Sequence, residues 1–302
     1  MRRERCILFS LLALTALVVS LVTVEAAETL PETKLTWHYY KLNTTCRYAE
    51  AYVRSQVEFY WNELKDGSIA PKLLRLLYSD CFVNGCDASI LLDGPNSEKT
   101  ASQNRGLGGF ALIDKIKTVL ESRKECKGVV SCADILNLAT RDAVHLAGAP
   151  SYPVLTGRKD GLESNAASVD LPSPSISWES ALAYFKSKGL DVLDLGTLLG
   201  AHTLGRTHCS YIEDRLYNFN ESGSSHNFTN SYYSRILSHK AVLGVDQQLL
   251  FGNDTEQITE EFAAGFEDFR RSFALSMSRM GNLQVLTGSQ GEIRENCRVR
   301  NN

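Results

Sequence analysis

Two stretches of this chain carry residues that could do chemistry. The first runs from Arg75 to Ser89 and reads Arg-Leu-Leu-Tyr-Ser-Asp-Cys-Phe-Val-Asn-Gly-Cys-Asp-Ala-Ser. Arg75 and Ser79 stand four apart, so on a helix they share a face. Beyond them lies a loop bounded by Cys81 and Cys86, with oxygen-bearing residues on both sides. Asp80, Asp87 and Ser89 offer side-chain oxygens, and Val83 and Gly85 offer carbonyls. Such a set suits a hard cation such as calcium, which takes roughly six to eight oxygen ligands. Reading Ser79 as a hydrolase nucleophile fails, because no Gly-x-Ser-x-Gly elbow surrounds it and nothing beside it supplies a base.

The second stretch runs from Asp191 to Cys209. An aspartate opens a leucine-rich segment, Gly200 ends it, and His202 follows at its mouth. A histidine so placed is most often a hydrogen-bonded core residue. The sharper reading is a ligand to haem iron, which needs a partner for its second ring nitrogen.

Helices must position these residues. Leu73, Leu74, Leu76 and Leu77 form the apolar face of one, with Ser68 as candidate cap and Pro71 tolerable only in its first turn. Residues 47–64 carry a helical stripe of Tyr48, Tyr52, Val53, Val57, Tyr60, Trp61 and Leu64. Another, from Phe110 to Ser122, holds Leu112, Ile113, Ile116, Val119 and Leu120. Residues 131–147 begin at Ser131 and stop at Gly148. More helices are expected near 177–188, 191–200, 205–217, 230–238 and 256–280. The stretch holding Trp37, Tyr39 and Tyr40 has no strand signal, residues 98–109 read as a connector, and proline-rich 149–176 reads as an irregular loop. The pattern predicts an all-α domain with two helical halves, about 27–150 and 151–302, and a cleft between them.

The chain has 302 residues, 43% of them hydrophobic, enough for a real core. Residues 1–26 read as a signal peptide, with Arg2, Arg3 and Arg5 before an apolar run and Val24-Glu25-Ala26 at its end; the length of that run leaves an uncleaved anchor as the alternative. No later stretch approaches a membrane span. Cleavage removes three Arg and two Glu from 32 basic and 35 acidic residues, leaving 29 and 33, a net charge of −4. That excludes the basic footprint of a nucleic-acid binder. Cleavage also removes Cys6 and leaves seven cysteines, an odd count that implies disulfides and one spare thiol. Sequons at Asn43, Asn220, Asn227 and Asn253 agree with a glycoprotein on an extracellular route.

Arg75–Ser89 resembles the distal-helix signature of the plant secretory (class III) haem peroxidases, Arg-Leu-His-Phe-His-Asp-Cys-Phe-Val-x-Gly-Cys-Asp-Ala-Ser. Asp191–Cys209 resembles the proximal motif of that family, Asp-Leu-x-x-Leu-x-Gly-x-His-Thr-x-Gly. Val130–Leu136, Gly157-Arg158-Lys159-Asp160, Leu171-Pro172-Ser173-Pro174, Met280-Gly281-Asn282 and Gly291–Cys297 are further landmarks, so the resemblance spans nearly all of the mature chain. It implies a haem-peroxidase-like fold with haem b between the halves. His202 would be the axial ligand, with Asp246 of Val-Asp-Gln-Gln-Leu-Leu as its partner. Arg75 would stabilise charge on the leaving oxygen, Asn104 matches the residue that orients the distal histidine, and Pro172 matches the contact to aromatic donors. The resemblance also implies calcium on Asp80, Val83, Gly85, Asp87 and Ser89, and disulfides Cys46–Cys126, Cys81–Cys86 and Cys132–Cys297. His208 has no such context and is expected at the surface.

Three departures bear on activity. Ser79 stands where the family has its distal histidine, the base that moves a proton between the peroxide oxygens; a serine hydroxyl is a very poor base. The chain's histidines, at 38, 145, 202, 208, 226 and 239, all lie outside the distal helix and its flanks. Next, a family segment between Tyr217 and Phe228-Thr229-Asn230-Ser231-Tyr232-Tyr233 is missing, an internal deletion. That segment normally holds the partner of Cys209, which is left unpaired, and an aspartate of a second calcium site. Thr229 replaces another ligand, and Thr203 alone cannot hold the ion, so one calcium is expected rather than two. Finally, Tyr78 replaces a phenylalanine, and Tyr211, Ser102 and Tyr152 differ from aromatics common along the access channel.

The resemblance implies a secreted cell-wall oxidoreductase, a monomer using hydrogen peroxide to oxidise phenolic donors in lignin and oxidative-stress chemistry, with activity reduced by Ser79. The alternatives are a haem-binding relative with little turnover and a calcium- and disulfide-stapled extracellular module without haem.

Overall fold

The computed structural model describes residues 34–207 and 226–301. The signal peptide, His208, Cys209, Tyr211 and the Asn220 sequon therefore lie outside the described residues. Within them the fold is all-α, with isolated bridges such as Thr36–Thr156 and Asp160–Glu292 in place of a sheet.

In the first part of the chain come α1 (Tyr39–Asn43), α2 (Ala49–Asn62), α3 (Ile69–Cys81), α4 (Phe110–Glu121) and α5 (Cys132–Leu146). Helices α2, α3 and α4 all pack against α5. On α3 the leucines at 73, 74, 76 and 77 are buried, each of them stabilising the fold by about 1.5–3 kcal/mol. Ser68 does not cap α3: its hydroxyl and amide both bond to Asp66. Ser131 does cap α5, accepting from the Asp134 amide at 3.1 Å. The buried Asp160 carboxylate takes the next free amides of α5, those of Cys132 and Ala133, where the helix N-terminus favours negative charge.

Then follow α6 (Trp178–Ser187), α7 (Val192–Leu199), α8 (Ser231–Leu237), α9 (Gly244–Gln247), α10 (Asn253–Ala264) and α11 (Phe266–Gly281). Helix α7 packs on α6, α10 and α11, and α11 also reaches α3. The single helix expected over 256–280 is two, because the backbone leaves helical geometry at Gly265. Likewise the region of Tyr39 forms a short helix, and the 98–109 connector holds two 3₁₀ turns, Glu98–Thr100 and Ser102–Asn104. Residues 205–207 are not helical. Disulfides join Cys46 to Cys126, Cys81 to Cys86 and Cys132 to Cys297. Among the described residues, no helix is long and apolar enough to cross a membrane.

Candidate functional site

Helix α7 sets up one side of the site. Asp191 accepts from the Asp194 amide and the Asp194 carboxylate accepts from the Asp191 amide, a reciprocal pair that fixes where the helix starts. At its other end Gly200 needs to be glycine, since a Cβ there would lie 2.3 Å from the Tyr233 hydroxyl. The chain then turns through a 3₁₀ segment, Gly200–Thr203, which carries His202. The side chain of Asp191 also takes a bond from Arg279 at 2.8 Å. Burial pushes the Asp191 carboxyl up, but the Asp194 amide and Arg279 outweigh it and hold the pKa below the usual value. Its contribution to stability is therefore present above the unfolded-state pKa and lost as pH falls through the lower folded value. Asp191→Ala should lower Tm by about 2–4 °C, as expected for loss of a cap worth about 1 kcal/mol, measured by calorimetry at neutral pH. The deficit should vanish in acid.

His202 Nδ1 lies 2.7 Å from Asp246 Oδ1, and the Tyr232 hydroxyl donates to the same oxygen at 3.0 Å. Asp246 is buried on α9, which the Val245 amide ties to the Pro174 carbonyl of the Pro172 loop at 2.8 Å. Burial pushes the imidazole pKa down, but the Asp246 carboxylate more than reverses this, leaving it above the usual histidine value. Arg75 opposes the rise from across the site. The ring's Nε2 bonds to nothing among the described residues, while the side chain is 40% exposed. One nitrogen is thus held and the other presented. Tyr232 had no expected role, although it sits in the Phe228–Tyr233 motif.

Helix α3 supplies the other side. The exposed Arg75 donates to the Gln103 carbonyl at 2.7 Å and lies over the Tyr78 ring, 5.3 Å from its centroid. Ser79 is fully buried, and its hydroxyl has no hydrogen-bond partner. Asn104 is buried as well. Its amide donates to the Glu98 carbonyl at 2.8 Å, and its Oδ1 receives nothing. Buried polar groups left unpaired each cost about 1–3 kcal/mol. This side offers a fixed cation, an idle acceptor and no base. Tyr152, expected along a channel, is buried, with burial pushing its hydroxyl pKa up.

Behind α3, Asp80, Asp87 and Ser89 of the predicted cation ligands lie close to one another. Asp80 accepts the Ala88 amide at 2.9 Å and Asp87 accepts the Ser89 amide at 2.9 Å. Gly85, at φ 109°, turns the loop against Gln284, whose carbonyl would lie 2.4 Å from a Cβ. Arg294, fully buried, binds the Ala88 carbonyl at 2.7 Å and the Cys297 carbonyl at 2.8 Å, anchoring the loop to the C-terminal segment. Burial pushes both Asp80 and Asp87 up, the Asp87 charge adding to the effect on Asp80. Glu98, which the sequence reading missed, is buried beside them; burial and the Asp87 charge push it up to about 8. The hydroxyl of Ser89 and Glu98 Oε2 have no hydrogen-bond partner. A shallow surface depression lined by Asp87, Ser89, Gly161 and Glu163 opens beside this cluster. No cage of three or more His, Cys, Asp or Glu is formed among the described residues. Thr203 bonds to Thr229, and Thr229 to Ser231, a chain of hydroxyls without a carboxylate.

A family model described as Peroxidase matches residues 53–265. Probable peroxidase 61 of Arabidopsis thaliana is 63% identical over 336 aligned residues, covering 97% of each chain. That alignment is longer than this chain's 302 residues, so the relative carries residues with no counterpart here. Probable peroxidase 26 of the same plant is also 63% identical, over 88% of this chain and 89% of its own. The lignin-forming anionic peroxidase of Nicotiana tabacum is 38% identical over 85% and 90%. With a family model spanning most of its length and close plant relatives over nearly all of it, the chain belongs to the plant peroxidase family and is a peroxidase by enzyme class.

Proposed function

We propose that this chain is a secreted haem peroxidase that oxidises small phenolic donors with hydrogen peroxide, slowed by the lack of a distal base. The observation that carries the reading is the Asp246–His202 pair facing Arg75 across one site. A histidine with one nitrogen tied to a carboxylate and the other exposed fits an axial ligand to haem iron. Haem, when bound, supplies the iron at which peroxide is cleaved. Asp246 holds the Nδ1 proton and makes the imidazole a more basic ligand, and Tyr232 keeps that carboxylate in place. Arg75 stands ready to stabilise negative charge on the departing oxygen. Ser79 cannot take the peroxide proton, so water or the donor itself must carry it. Pro172 serves as the donor contact. The cluster of Asp80, Asp87 and Ser89, with the Val83 and Gly85 carbonyls, holds one calcium, because buried carboxylates with orphaned neighbouring oxygens fit a hard cation. Exposed sequons at Asn43, Asn227 and Asn253, with the disulfides, agree with secretion.

Loading the protein with haem and recording visible spectra tests this. A Soret band is expected that shifts on adding peroxide and is lost or displaced in His202→Ala. A protein that keeps no haem once the unbound excess is removed by gel filtration would leave only the stapled extracellular module. The second reading, a haem binder with little turnover, is favoured by the two unpaired buried oxygens at Ser79 and Asn104; a Soret band unmoved by peroxide would select it.

A further inference from the structure

We propose that Tyr184 is a second, surface site of donor oxidation, connected through Phe82 and Tyr78 to the side of the site that Arg75 faces. The inference rests on the haem-peroxidase reading above. Tyr78 precedes Ser79 on α3 and lies under the Arg75 guanidinium. Its ring meets that of Phe82 at 4.6 Å between centroids, and Phe82, fully buried, stacks on Tyr184 at 5.9 Å and 24°. Tyr184, on α6, is half-buried and so reaches the surface. The three rings form an unbroken aromatic path from the reacting side to solvent. A benzene ring is harder to oxidise than a phenol, so Phe82 bridges the two tyrosines without itself holding charge.

What makes Tyr184 a usable end point is its hydrogen bond. Its hydroxyl donates to Asp170 Oδ1 at 3.2 Å, and Asp170 is exposed. Lys188 bonds the other Asp170 oxygen at 3.1 Å and lies 5.0 Å from the Tyr184 ring centroid. A fixed ammonium there disfavours a positively charged ring, so the phenol must lose its proton as it loses its electron. Asp170 is placed to take that proton.

The step balances as follows. With haem bound to supply an oxidant from hydrogen peroxide, Tyr184 would give it one electron through Phe82 and Tyr78, and its hydroxyl proton to Asp170. The neutral phenoxyl then takes an electron from a phenolic donor while Asp170 returns the proton. The donor leaves as a phenoxyl radical and its own proton passes to water. Two such cycles supply the two electrons and two protons that turn one hydrogen peroxide into two waters. Because Tyr184 reacts at the surface, its substrates are phenols carried on chains too bulky to enter the site.

Haem-loaded protein would be treated with peroxide and a nitroso spin trap, and the trapped residue located by peptide mass spectrometry. The adduct is expected on Tyr184, lost in Tyr184→Phe and reduced in Tyr78→Phe. Oxidation of a phenol tethered to a long polyethylene glycol should fall by about tenfold in Tyr184→Phe, with free guaiacol changed by less than about twofold. If the parent reacts too slowly to trap, the same measurement is made in Ser79→His. Adducts confined to other residues while the haem spectrum responds, or full oxidation of the tethered phenol by Tyr184→Phe, would overturn the proposal. A Soret band that peroxide leaves unmoved in both forms overturns the haem-peroxidase reading instead, and removes the oxidant with it.

Discussion

Ser79→His is expected to speed the reaction of the haem-loaded protein with hydrogen peroxide by about 10² or more, the lower end of what a positioned general base contributes. In barrier terms that is about 3 kcal/mol. The surroundings for an imidazole are already in place. Arg75 is retained, held by the Gln103 carbonyl on the face that residue 79 shares. Asn104 is anchored through its amide nitrogen to the Glu98 carbonyl, which turns Oδ1 away as a buried acceptor with no donor. A histidine at 79 would donate one ring N–H to that acceptor and leave the other nitrogen basic, with a pKa near neutrality where a base is most effective. The pairing gives an internal control: adding Asn104→Val to Ser79→His should take back much of the gain, whereas Asn104→Val alone should alter the slow parent rate little. Ser79 is fully buried, so the larger ring must find room, and a thermal melt must accompany the kinetics. Stopped-flow rates equal for parent and Ser79→His, with both folded and haem-loaded, would show that the missing base is not what limits this chain.

Local chemistry made the helices legible where it was unopposed. Ser131 and Asp191 were readable as caps because each has a free amide three residues on. Ser68 has the same residue type, but Asp66 lies two positions away and takes its hydroxyl, a competition that composition does not reveal. The break at Gly265 was hidden because apolar periodicity continues on both sides of it. At the site, the histidine and arginine were visible as residue types, but their opposition is a tertiary fact. The same is true of Glu98: in a polar stretch, a buried glutamate looks like a solvated one. Gln103 could not be found from sequence at all, since it holds Arg75 through a backbone carbonyl that any residue would supply.

Stripping calcium with a chelator is expected to produce a protein whose stability falls as pH rises, the reverse of ordinary acid denaturation. In the metal-free fold, burial raises Asp80, Asp87 and Glu98 above their ordinary values, with Glu98 at about 8. A carboxyl whose folded pKa is raised holds more protons in the native state than in the unfolded chain between the two values. Stability is then greatest below the unfolded pKa and declines until the folded pKa is passed. For Glu98 the window runs from about pH 4.3 to about 8. At about 1.4 kcal/mol per pH unit, discounted for water reaching the cluster, Glu98 alone contributes on the order of 3 kcal/mol. For a domain of this size that corresponds to a fall in Tm of about 5–10 °C between pH 5 and pH 8. Saturating calcium should flatten the profile, because the ion compensates the charges that burial disfavours and binds the native state alone. Glu98→Gln separates this account from a general effect of the chelator: it removes one of the three raised carboxyls and leaves the predicted cation ligands in place, so the metal-free slope should shrink while calcium still stabilises. A metal-free Tm that rises with pH across this range, or melts indifferent to calcium at pH 8, would show that these carboxylates do not form a cation site.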